Sequence, residues 1–155
     1  MTAVEELFRR LGARSATVAT AESCTGGMIS MWITSVAGSS RHFLGGVCSY
    51  SNESKTSLLG VDAGVIAKNG AVSGAVVRAM ADGVKKRLNS TWSISVSGIA
   101  GPDGGTAEKP VGTVWIGIAG PSTNEERKFN FPGDRQAVRE AAAVAAIQFL
   151  LEKVK

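Results

Sequence analysis

The sequence predicts an α/β fold, a mixed and mainly parallel sheet with helices on both faces, as a single domain over residues 1–155. Three observations carry this. Segments of helical and strand period follow one another in the order α-β-α-β-α-α-α-β-β-β-α. Helices fill the gaps between the early strands, so those connections are crossovers. The last two strands are joined by the short turn Pro121-Ser122-Thr123-Asn124, which makes them an antiparallel hairpin.

Val4, Leu7, Phe8 and Leu11 recur at helical spacing, and Gly12 is a stop. The apolar run Ala16 to Thr20 follows as a central strand. Next comes the turn Thr20-Ala21-Glu22-Ser23-Cys24-Thr25-Gly26-Gly27, then a helix through about Val36, broken by Gly38-Ser39-Ser40. Phe43 to Ser51 reads as a second strand, bent at Gly45 and Gly46. Ser51 or Asn52 caps a short helix that closes at Leu58 to Val61, and Asp62 opens another that ends near Asn69-Gly70. Ser73 caps a longer helix with Val77, Met80, Ala81, Val84 and Leu88 on one face. In the third strand Trp92, Ile94 and Val96 alternate with Ser93, Ser95 and Ser97, and it empties into the glycine-rich loop Gly98 to Gly105. Val114, Ile116 and Ile118 mark a fourth strand, and Arg127 to Phe131 a fifth. Asp134 caps the last helix, Arg135 to about Val154, whose broad apolar face predicts burial.

A strand-to-helix turn in an open α/β sheet lies at the edge where ligands bind. The first such turn here offers the Ser23 and Thr25 hydroxyls, a thiol and a glycine pair beside a helix N-terminus, where N–H groups favour negative charge. Ser23 there is either a helix cap, the commoner role, or a nucleophile whose oxyanion Thr25, Gly26 and Gly27 would hold. Three loops can meet at this edge: Ser23 to Gly27, Tyr50 to Lys55, and Gly98 to Gly105.

Several classes are excluded. No apolar run reaches the ~20 residues of a bilayer span, and Met1 to Gly12 lacks the pattern of a signal peptide, so the chain reads as cytosolic with no membrane partner. Cys24 and Cys48 are the only cysteines and form no CxxC, which argues against a disulfide framework and structural zinc. Glu22, Asp103 and Glu108 are possible metal ligands, but scattered carboxylates are weak evidence for a metal site. Net charge is +4, yet the densest basic run, Lys85-Lys86-Arg87, has no interleaved aromatics, so no nucleic-acid partner is expected. His42 is the sole histidine and sits in a loop. A base for Ser23 must therefore be lysine or tyrosine: Lys55 if burial keeps it neutral, with Tyr50 either relaying the proton or standing at the rim. Neither G-x-S-x-G, S-x-x-K nor a P-loop is present. Gly98, Gly101 and Gly104 could cradle an anion with backbone N–H groups, or belong to a plain loop. Arg135 could clamp an anion or be a solvated surface arginine.

Six motifs, in order and over nearly the whole chain, carry a resemblance. They are Ala21 to Gly27, Tyr50-Ser51-Asn52 with Lys55, Gly70 to Ser73, Ser97 to Gly105, Lys109 to Val114, and Gly133-Asp134-Arg135. Together they resemble the CinA carboxy-terminal domain family, which includes the bacterial nicotinamide-mononucleotide deamidases. The resemblance implies a three-layer α/β/α sandwich. It implies hydrolysis of nicotinamide mononucleotide to nicotinic acid mononucleotide and ammonia, within NAD metabolism, without metal or other cofactor. It puts the nucleophile at Ser23, assisted by Tyr50 and Lys55. The expected partner is this small-molecule substrate, bound by a homo-oligomer, with Trp32 and Trp115 open to core or interface roles. Rival readings are a non-catalytic nucleotide-binding or partner-docking domain, and a serine hydrolase of another amide or ester.

Overall fold

The computed structural model describes residues 1–155. Its elements are α1 (Ala3–Ala13), β1 (Val18–Glu22), α2 (Met28–Thr34), a single 3-10 turn (Ser39–Arg41), β2 (Phe43–Cys48), α3 (Asn52–Leu59), α4 (Ala63–Asn69), α5 (Gly74–Leu88), β3 (Trp92–Gly98), β4 (Thr113–Ala119), β5 (Asn124–Asn130) and α6 (Arg135–Lys153). They form one five-stranded sheet in the order β2-β1-β3-β4-β5. β1 is parallel to both β2 and β3, while β4 runs antiparallel to β3 and to β5. The predicted mixed sheet is therefore parallel in its β2-β1-β3 half only.

Helices cover both faces. α1, α2 and α6 pack on one, around Val18, Ile94, Val96, Val114, Ile116 and Ile118. α3, α4 and α5 cover the other, around Ala19 and Ala21. β1 is buried on both sides, and its residues are mostly small; its polar members, Thr20 and Glu22, are buried with hydrogen-bond partners. On β3 the three serines face the second layer, where Ser93, Ser95 and Ser97 donate to the carbonyls of Ala81, Val77 and Ala71. Small side chains there let α5 approach closely, and their hydroxyls satisfy the carbonyls they meet.

Caps sit where sequence predicts them: Ser51 on α3, Asp62 on α4, Ser73 on α5 and Asp134 on α6 each accept from a first-turn N–H. α1 adds a reciprocal box between Thr2 and Glu5. Four boundaries differ. β1 starts at Val18, not Ala16, because the Ala16 N–H is still bonded to Leu11, and it continues to Glu22. β2 stops at Cys48, short of Ser51. α2 ends at Thr34, where the hydroxyls of Thr34 and Ser35 bond back to helix carbonyls in place of further turns. β5 begins at Asn124 and ends at Asn130; its charged outer run, Glu125 to Lys128, guards the edge against strand addition and carries no strand-period signal.

Gly83 marks the tightest helix contact. A Cβ there would lie 2.0 Å from the Leu59 carbonyl oxygen, a backbone atom at the end of α3. Gly83→Ala is expected to lower stability by about 2 kcal/mol despite its better helix propensity. A denaturant titration checks this; an unchanged midpoint contradicts it.

Candidate active site

β1 and β3 are neighbours whose carboxyl ends open side by side, and β1 lies between its sequence successor β2 and β3. This is the crevice position where open α/β sheets bind ligands. Pairing of β1 with β3 extends to Glu22 opposite Val96, and the Ser23 N–H adds one bond to the Val96 carbonyl. Beyond it lies a cleft of about 290 Å³, lined among others by Ser23, Cys24, Tyr50, Asn52, Lys55, Gly98, Gly101, Asp103, Gly104 and Arg135. The three predicted loops do meet.

At the floor, Lys55 Nζ lies 3.0 Å from Ser23 Oγ, 2.8 Å from the Ser49 carbonyl oxygen and 3.2 Å from the Tyr50 carbonyl oxygen. Lys55 is 1% exposed and its three partners are all neutral. Burial without a carboxylate penalises the ammonium and holds the Lys55 pKa below that of an ordinary lysine. Two carbonyls require two N–H donors from Nζ. The third position points at Ser23 Oγ and is either a third N–H or, once the proton is lost, a lone pair that accepts from the serine hydroxyl. Deprotonation thus reverses one hydrogen bond and moves no heavy atom.

Cys24, next in the chain, also lines the cleft. Burial pushes its thiol up to about 11, so near neutral pH it is a protonated, weakly nucleophilic group. Of the two neighbouring candidates, only Ser23 has a base within reach.

Tyr50 does not relay between Lys55 and Ser23. Its backbone carbonyl touches Lys55, while its side chain is 64% exposed and its hydroxyl accepts from Arg135 Nη2 at 3.1 Å. Because Lys55 contacts Ser23 directly, no relay is needed. Arg135 also donates to the Gly101 carbonyl at 2.7 Å, tying the first turn of α6 to the second glycine loop.

The first turn is built differently from the sequence expectation. Neither Ser23 nor Thr25 caps α2; Gly27 does, without a side-chain bond. The helix N-terminus faces inward to Glu22, 1% exposed, whose carboxylate accepts from Ile29 N–H (2.9 Å), Ser30 N–H (3.0 Å), the Thr25 hydroxyl (2.7 Å) and the Ser30 hydroxyl (2.8 Å). Those N–H groups are spent on Glu22, not on a ligand. Thr25, Gly26 and Gly27 lie outside the cleft lining. Gly26 and Gly27, at φ +59° and +100°, serve the turn's shape, and Gly26 N–H donates to the Ser23 carbonyl. The Cys24 N–H makes no hydrogen bond to another backbone group.

Other candidates fall elsewhere. His42 stands at the opposite end of β1, its carbonyl bonded to Val18 N–H and its ring 5.2 Å from Phe8, so it joins no triad. Nowhere do three His, Cys, Asp or Glu side chains come together as a metal site would need. Trp32 and Trp115 are half-buried against the two cores. Sequence reasoning missed Arg139, which holds the Cys24 and Thr25 carbonyls at 2.9 and 3.2 Å; its place one turn after Arg135 was the available signal.

The sequence model of the CinA C-terminal domain matches residues 1–154. The chain belongs to the CinA C-terminal domain family. A CinA-like protein of Geotalea daltonii is 48% identical over 149 residues, covering 96% of this chain and 35% of that protein. One from Citrifermentans bemidjiense is 53% identical over 134 residues, covering 86% of this chain and 32% of that one. The chain thus spans about a third of the length of these curated relatives. Solved CinA-family folds superpose over almost the whole domain. The competence damage-inducible protein A of Klebsiella pneumoniae gives a TM-score of 0.94 at 36% identity, covering 98% of this chain and 94% of that chain. The competence/damage inducible protein CihA of Agrobacterium tumefaciens gives 0.92 at 34% identity, covering 100% and 98%. No helix of the chain is long and apolar enough to cross a membrane.

Proposed function

We propose that this CinA-family domain is a serine-dependent amidohydrolase acting on nicotinamide mononucleotide. The observation that carries the reading is the buried, uncompensated Lys55 amine 3.0 Å from the Ser23 hydroxyl at the floor of a nucleotide-sized cleft. Ser23 Oγ attacks the carboxamide carbon as neutral Lys55 takes its proton. The Cys24 N–H, bonded to no other backbone group, receives the oxyanion, the role that the N–H following a nucleophile fills in other hydrolases. Lys55 then returns the proton to the departing nitrogen, which leaves as ammonia with cleavage of the C–N bond. A water attacks the resulting ester, gives its proton to Lys55, and the carboxylate product leaves as Ser23 is reprotonated. Arg135 and the Gly98 to Gly104 loop stand at the mouth, where the phosphate of the nucleotide would lie. Asp103 and Asn52 offer partners to ribose hydroxyls.

The test is ammonia release from nicotinamide mononucleotide by the intact chain, with nicotinic acid mononucleotide formed in equal amount. Binding without any release favours the rival reading, a nucleotide-binding module. Release from other amides or esters but not from this nucleotide contradicts the substrate assignment alone.

A further inference from the structure

We infer that Arg139, which lies outside the cleft, is a positioning residue for the nucleophile. The inference rests on the reading of Ser23 above. Arg139 stands on α6 one turn after Arg135 and is half-buried. Nε donates to the Cys24 carbonyl at 2.9 Å, Nη2 to the Thr25 carbonyl at 3.2 Å, and Nη1 to Gln136 Oε1 at 3.0 Å. A guanidinium with no carboxylate beside it, spent on two consecutive carbonyls of the turn that holds Ser23, fixes two peptide planes at once. In a trans peptide the C=O and N–H point in opposite directions. Holding the Cys24 and Thr25 carbonyls toward α6 therefore turns the Thr25 and Gly26 N–H groups away from it, and the Gly26 N–H meets the Ser23 carbonyl at 3.1 Å.

The fit is close. A Cβ at Gly26 would lie 3.3 Å from Arg139 Nη2, where the backbone is already at φ +59°. The turn is thus gripped from two sides: locally by the Glu22 carboxylate through Thr25 and the start of α2, and by Arg139 from across the chain. Lysine could reach one carbonyl but cannot hold both in a fixed fork. Since Arg139 does not line the cleft, its loss should disturb the position of Ser23 and leave substrate contacts in place.

Arg139→Ala and Arg139→Lys in the full chain test this. Kcat for ammonia release is expected to fall about 10- to 100-fold with KM unchanged. Guanidinium at tens of millimolar should restore much of the rate in Arg139→Ala and none in Ser23→Ala. Amide exchange at Gly26 should quicken in both variants, and guanidinium should slow it again in Arg139→Ala. Parent-like kcat in Arg139→Ala, a loss confined to KM, or unchanged exchange at Gly26 overturns the inference. If Arg139→Ala does not fold, Arg139→Lys decides by the same readouts. Should the parent release no ammonia, the functional reading fails, and exchange at Gly26 with and without guanidinium still decides the role of Arg139.

Discussion

Ser23→Ala is expected to reduce ammonia release from nicotinamide mononucleotide by at least about 10³-fold, the order seen when a nucleophile is removed from a serine hydrolase. Nucleotide binding should survive. The Ser23 hydroxyl makes a single hydrogen bond, to Lys55 Nζ, and the backbone of the turn is held by Glu22 and Arg139 rather than by that hydroxyl. The fold should therefore tolerate the loss of one oxygen atom. Nor should the neighbouring thiol substitute, because burial keeps Cys24 protonated and no base touches it. Steady-state kinetics with calorimetric titration of the nucleotide separate the two effects. Substantial turnover in Ser23→Ala removes the nucleophile assignment, and loss of both binding and fold assigns Ser23 a structural role.

Lys55→Met should be nearly as damaging, with a loss of about 10² to 10⁴ in kcat, the range for an acid–base group. The pH dependence has a definite sign. On the proposed mechanism the neutral amine is the active form, so the parent rate should rise with pH as Lys55 loses its proton, and level off at a value below the ordinary lysine pKa of about 10.4. The variant should lose that rise. Stability follows the same group. Between the depressed native value and the ordinary one, the unfolded chain binds the proton that the folded chain has released. The Lys55 contribution to unfolding free energy therefore increases with pH across that window, is complete above the ordinary lysine value, and is a constant penalty below the native value. Urea unfolding at a series of pH values should show a slope that flattens in Lys55→Met. An identical pH–rate profile in parent and variant contradicts the base assignment.

The fold was legible where apolar period and capping chemistry agree. α1, α5 and α6 follow their apolar stripes, and Ser51, Asp62, Ser73 and Asp134 cap the helices they were expected to cap. β5 was legible only in part, because an edge strand guarded by charge has the composition of a loop. Within the site, the meeting of Ser23 with Lys55 was legible because few residue types can sit as a base beside a hydroxyl in a chain with one histidine. Of the two readings open for Tyr50, the rim position matches its exposed phenol, while its backbone, not its phenol, faces the amine, and side-chain identity does not choose between them. Glu22 was read as a scattered carboxylate and proves to be the anchor of α2, since no local pattern marks a residue that caps a helix from inside the preceding strand. The two turn carbonyls that Arg139 holds lie more than a hundred positions away in the chain, and carbonyls have no sequence signature.

The most direct measurement is rapid-quench mass spectrometry of the protein mixed with nicotinamide mononucleotide. The tryptic fragment Ser15 to Arg41 holds both Ser23 and Cys24. The predicted result is a transient nicotinoyl-nucleotide ester on Ser23 that forms with the first release of ammonia and decays as the carboxylate product appears. Turnover without any adduct on Ser23, or with the adduct on Cys24, would contradict the serine–lysine account.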